Sequence, residues 1–167
     1  MTLTRIITWI IIGIIASLIA GVVIYPYTYG GEGKLEISVI LEKSEMSINE
    51  TINATVVVKN VDDRPIRVMR LFRSTWMFLK YSNGSTVEYT GKRLLMSPPT
   101  NSELMMLKPG DSISRNQIIS RLNWDLKNNS IHLVYVQLQW SEKISFLLNF
   151  PHWHGSIVSD EVELKVS

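Results

Sequence analysis

Beyond residue 34, apolar side chains recur at every second position through most of this chain, and that alternation limits what it can fold into. In Leu35–Leu41 the residues Leu35, Ile37, Val39 and Leu41 fall on one side, and in Thr51–Lys59 Ile52, Ala54, Val56 and Val58 do the same. Successive side chains of an extended strand project to opposite faces, so each stretch has one face for a core and one for solvent. The same period places His132, Val134, Val136, Leu138 and Trp140 together. Further strands are expected at Ile66–Phe72, Ser112–Ile119, Lys143–Phe150 and Glu161–Val166. No stretch after residue 30 keeps a helical period for more than two turns.

Turn chemistry separates these strands. Asn60–Pro65 (NVDDRP) and Leu107–Ser112 (LKPGDS) carry the Asn, Asp, Pro and Gly residues that favour turns. Tyr81–Thr86 (YSNGST) places Asn-Gly between two apolar runs, a strong short hairpin signal. Pro98 and Pro99 exclude a central strand from the irregular stretch around them. About eight short strands joined by turns predict a mainly β chain folded as a sandwich. There is no cysteine, so the core must hold the fold without disulfides, and every thiolate-based site is excluded.

Ile6–Tyr25 is a run of twenty residues without a charge. At 1.5 Å per residue a helix of that length matches the roughly 30 Å of a bilayer's hydrocarbon. The run predicts a transmembrane helix within residues 1–25, a glycine-rich linker at 26–34 and an outer domain at 35–167. A signal peptide has a shorter apolar region, about 7–15 residues, ending at an A-x-A-like site. Here Ala16, Ser17 and Ala20 lie inside the run, which favours a retained anchor. Arg5 on one flank, against Glu32, Lys34 and Glu36 on the other, places the N-terminus in the cytoplasm and the rest outside a cell membrane. Partners expected on this reading are the bilayer and other membrane or cell-surface proteins, a second copy included. The net charge of +2 gives no reason to expect nucleic acid. Asn49, Asn53, Asn83 and Asn128 match the N-x-[ST] glycosylation pattern. Gly13, Ser17 and Gly21 recur at four-residue spacing, a stripe that lets another helix approach closely.

Candidate chemistry is sparse. Asp62 and Asp63 are adjacent in a turn, where their side chains are expected to diverge into solvent. There is no G-x-S-x-G nucleophile elbow, and an enzyme is not expected. His152 and His154 flank Trp153, and in an extended strand they would share one side. With His132 they form a candidate copper or zinc set, to which Met105 and Met106 could add thioethers for Cu(I). The competing reading needs no metal and no other cofactor: Trp153 caps a core and Gly155 supplies a special backbone conformation. Met69, Met77 and Met96 read as core fillers, and Trp76, Trp124 and Trp140 lack the spacing of a sugar platform.

The C-terminal half, from LKPGDS through the strand ending at Trp140 to WHGSIVSDEVELKV, resembles the closing half of immunoglobulin-like β-sandwich domains. Their ending, Trp-x-Gly-x-x-x-Ser before a final strand, is matched by Trp153, Gly155 and Ser159. Such domains also occur beside deuterolysin-type metallopeptidases, but the H-E-x-x-H helix is absent here and no catalytic role carries over. The resemblance implies an immunoglobulin-like antiparallel sandwich of about 7–9 strands following the membrane helix. One membrane helix carrying such a domain is similar in layout to the archaellum's stator-type proteins. A non-enzymatic binding or scaffold subunit of a surface complex is therefore the expected function, and high isoleucine, no cysteine and several sequons would suit an archaeal cell surface. The alternatives are a copper-binding accessory subunit of a membrane redox complex and a pilin-like filament subunit.

Overall fold

A computed structural model describes residues 3–28, 31, 33–92, 97–140 and 150–167; for 3–6, 8, 22–28 and 72 it describes the backbone alone. A helix, α1 (Leu3–Thr28), comes first. Ten strands follow among the described residues: β1 (Leu35–Leu41), β2 (Glu45–Met46), β3 (Thr51–Asn60), β4 (Ile66–Met69), β5 (Thr75–Tyr81), β6 (Leu104–Leu107), β7 (Ser112–Ser120), β8 (Ser130–Trp140), β9 (Gly155–Val158) and β10 (Val162–Val166). A single helical turn, α2 (Leu71–Ser74), stands between β4 and β5.

The chain is mainly β, but the strands do not build the expected immunoglobulin-like sandwich. They form three separate sheets: β1-β3-β7, then β2-β10-β8-β5 with β9 also on β8, and the pair β4-β6. The cause lies where one strand was expected at Ile66–Phe72. The chain leaves β4 at Met69, closes the turn α2, and only then enters β5. Thr75 Oγ1 donates to the Leu71 carbonyl and Arg73 N to the Arg70 carbonyl, which holds that turn. β4 pairs with β6, from Ile66↔Leu107 to Met69↔Leu104, while β5 pairs with β8.

The alternation is used as the sequence requires. β3 buries every second residue from Ile52 to Asn60, and β8 does the same from His132 to Leu138. Apolar residues of β1, β3, β5, β8 and β10 join one cluster of buried side chains with Trp124, Leu126 and Trp153. Fully burying a valine or leucine contributes about 1.5–3 kcal/mol, so this cluster holds the sheets together without disulfides. Asn83 and Gly84 make the expected turn after β5: Gly84 has φ +85° and Tyr81 N donates to the Ser85 carbonyl. Lys143–Asn149 of the strand expected at Lys143–Phe150 lie outside the described residues.

The transmembrane helix is also corrected. Among the described residues no helix is long and apolar enough to cross a membrane. The single-pass placement in a cell membrane and the layout shared with archaellum stator proteins fall with it.

Candidate binding cleft

Backbone parity decides which edge groups are free. Lys34 O accepts from Val61 N and Glu42 N donates to Asn53 O, at the two ends of the β1–β3 register. In an antiparallel ladder the hydrogen-bonded residues alternate, so Glu36, Ser38 and Ile40 exchange bonds with β3. The N–H and C=O groups of Leu35, Ile37, Val39 and Leu41 therefore face the other edge, where β1 has no strand partner among the described residues. β9 repeats the arrangement. Ser159 N donates to Val136 O, which puts Ile157 and Gly155 in the bonded positions and turns the backbone of Ser156 and Val158 outward.

Between these edges lies a surface cleft of about 610 Å³. Residues 33–37 and Val61 line one wall, and Trp153, Ile157, Val158 and Asp160 line the other. Local chemistry fixes both walls. Gly33 has φ +143°, where side chains are strained, and a β-carbon there would crowd the Ile66 side chain, so glycine suits this entry into β1. Asp62 accepts from Lys34 N at 3.1 Å, while its own N–H donates to Asn60 Oδ1. Asp62 Oδ1 also accepts from Arg64 N at 3.3 Å, while the neighbouring Asp63 side chain is exposed. Asn60 is fully buried, and its Nδ2 donates to the carbonyls of Arg64 and Leu107.

The opposite wall rests on Arg67. Its Nη1 donates to the Pro151 carbonyl at 2.9 Å, its guanidinium lies 5.1 Å from the centre of the Phe150 ring, and its own carbonyl accepts from Trp153 N. Trp153 is thereby seated in the core with its ring against Gly155. Ser159 Oγ accepts from Val136 N and donates to the Asp160 carbonyl, bridging the break between β9 and β10. The three corner residues expected from the sequence, Trp153, Gly155 and Ser159, thus all shape this wall.

The candidate metal ligands are not brought together. His132 is fully buried on β8, eight residues before Trp140, which at about 3.4 Å per residue puts it roughly 27 Å along the strand. His152 is buried at the Trp140 end, with ring centroids 6.4 Å apart and its Nδ1 on the Phe150 carbonyl. His154 is exposed, because residues 151–154 are not a strand and do not alternate. No group of three or more potential ligands occurs among the described residues. Met105 and Met106 lie exposed on β6. Met69 and Met77 are buried, and Met96 lies outside the described residues. Trp76 is exposed, while Trp124 is buried and Trp140 partly so.

Asn49, Asn53, Asn83 and Asn128 are all exposed; Asn53 Nδ2 donates to Glu42 and Asn83 Oδ1 accepts from Ser85. On α1, Ser17 Oγ donates to the Gly13 carbonyl, and a β-carbon on Gly13 or Gly21 would meet nothing within 4 Å. Arg67 and the free backbone of β1 escaped the sequence reading. Their only signals are a single arginine in an apolar strand and the polar outer residues Glu36 and Ser38, neither of which marks an edge.

No protein-family model matches the chain, and no curated protein does. Among solved structures, the chain is similar to Spo0M, the sporulation control protein of Bacillus subtilis, at 16 % identity and a TM-score of 0.45, covering 81 % of this chain and 50 % of that one. A β-glucosidase of Erythrobacter marinus gives 9 % and 0.44, covering 80 % and 15 %. A β-glucosidase of Listeria innocua in complex with glucose gives 13 % and 0.38, covering 83 % and 17 %. The chain thus spans half or less of each of these proteins. At such scores neither a shared fold nor an activity follows.

Proposed function

We propose that this chain is a non-enzymatic binding module that engages its partner through an open strand edge. The observation that carries the reading is a pair of edges, β1 and β9, that have no further strand partner among the described residues and stand on either side of a cleft with the partly apolar lining described above. Unpaired backbone N–H and C=O groups in a row are a template for another strand, and proteins that do not use such an edge commonly cover or charge it. Here the first half of β1 borders open space. Amide hydrogen exchange on the full chain tests the reading. Leu35 and Ile37 should exchange much faster than Glu36 and Ser38, whose N–H groups are bonded to β3. Equal protection at all four amides would mean a closed edge and would end the proposal.

A further inference from the structure

The occupant of the cleft follows from the direction of its backbone groups and the sign of its charges. Building on the reading of β1 as a binding edge, we propose that the site takes an extended segment of a partner protein. The segment adds antiparallel to β1, with apolar side chains facing inward and a lysine or arginine opposite Glu36.

The register sets the pattern. Free backbone groups at Leu35, Ile37 and Val39 form the bonded pairs with an added strand, and side chains opposite one another point to the same face. Ile37 and Val39 are buried inward, so the partner residues opposite Leu35, Ile37 and Val39 also point inward, where Trp153 and Ile157 offer apolar contact. Residues opposite Glu36 and Ser38 point outward beside exposed polar side chains. The walls carry two carboxylates, Glu36 and Asp160, against one ammonium, Lys34, which leaves a net negative site. A cation directly opposite Glu36 is the complementary choice, since opposite charges across a strand pair stabilise it. Read from its N-terminus, the segment is apolar, polar, apolar, basic, apolar. A compact small molecule would leave the row of edge groups unpaired. A second copy of this chain, paired through its own β1 about Leu35, would set its Lys34 opposite Glu36 and is the rival occupant.

The test is selection of the full chain against a phage-displayed library of random heptapeptides, followed by synthesis of the enriched sequences. Enriched peptides should alternate apolar residues around one lysine or arginine. They should bind Glu36→Lys about fivefold to tenfold more weakly, and should slow exchange at the Leu35 and Ile37 amides. Selection on Glu36→Lys should shift the preferred residue to aspartate or glutamate. Glu36 is exposed, and circular dichroism with the parallel variant Asp160→Lys checks that the fold survives. Enriched peptides without a cation, or with unchanged affinity for Glu36→Lys, would overturn the proposed chemistry; if they still protected Leu35 and Ile37, the edge itself would stand. No enrichment, or protection confined to other amides, would overturn both. A concentration-dependent dimer in sedimentation that Glu36→Lys abolishes would replace the partner segment with a second copy.

Discussion

The indole of Trp153 lies so close over Gly155 that a β-carbon on the glycine would stand 3.1 Å from Cζ2. Gly155 also has φ +149°, a region that side chains other than glycine rarely adopt. Gly155→Ala therefore strains the backbone and pushes on a tryptophan that shares the core with both larger sheets. The expected cost is about 1–3 kcal/mol of stability, read as a lower urea midpoint at unchanged slope. An unchanged midpoint would mean that Trp153 can move aside without loss.

How much of this was legible beforehand differs residue by residue. The inward faces of β3 and β8 could be read because a period of two fixes which residues share a face. The Asn83-Gly84 turn could be read because its chemistry is local. The division into three sheets could not. It depends on the helical turn at Leu71–Ser74, in a stretch with apolar residues that read equally well as strand. The free edge of β1 was equally hidden, since alternation reports which face is buried and says nothing about which neighbours lie alongside. The Trp-x-Gly pair was visible as a corner, but its role beside the cleft depends on Arg67, 84 positions before Pro151. The apolar run at Ile6–Tyr25 shows the opposite failure, a strong composition signal read as a span that the described helix does not supply.

Asn60 ties three segments at once. With relative exposure of 0 %, it donates to the Arg64 and Leu107 carbonyls and accepts from Asp62 N. Removing the amide leaves these partners in the interior without a bond, and each buried unsatisfied group costs about 1–3 kcal/mol. Asn60→Ala is expected to lower stability by about 2–4 kcal/mol, water recovering part of the loss at the partly exposed turn. It should also speed exchange at Asp62 and Lys34, whose amides depend on the same turn. Chemical denaturation with residue-resolved exchange separates this local loosening from a global loss.

His132 makes folding pH-dependent in a stated direction. The Ser130 hydroxyl donates its one proton to the Lys127 carbonyl, so the 2.7 Å contact with His132 requires Nε2–H to donate to Ser130 Oγ. Nδ1 is then a buried acceptor without a partner among the described residues. Burial lowers the pKa of His132, with the Lys127 backbone pulling weakly the other way. The unfolded chain, with histidine near 6.5, therefore takes up its proton first as pH falls. Stability from this group is full above about pH 6.5, declines as pH drops through the lowered folded value, and levels off below it. Urea midpoints measured from pH 8 to pH 5 should fall, and His132→Phe should flatten that slope. An identical slope in His132→Phe would assign the dependence to other groups.

The separation of the histidines gives a last expectation, for added metal. His132 is enclosed in the core and roughly 27 Å along β8 from the Trp140 end. His152 has one ring nitrogen on the Phe150 carbonyl, and only His154 is exposed. A zinc or copper site that holds its ion firmly needs three or four protein ligands in one place. Titration of the full chain with Zn2+ should therefore perturb the His154 ring resonances alone and weakly, with His132 unshifted. His154→Ala should then remove that response without altering stability. Simultaneous perturbation of His132 and His154 at stoichiometric Zn2+ would require the corner and β8 to rearrange, and would return the histidine set to consideration.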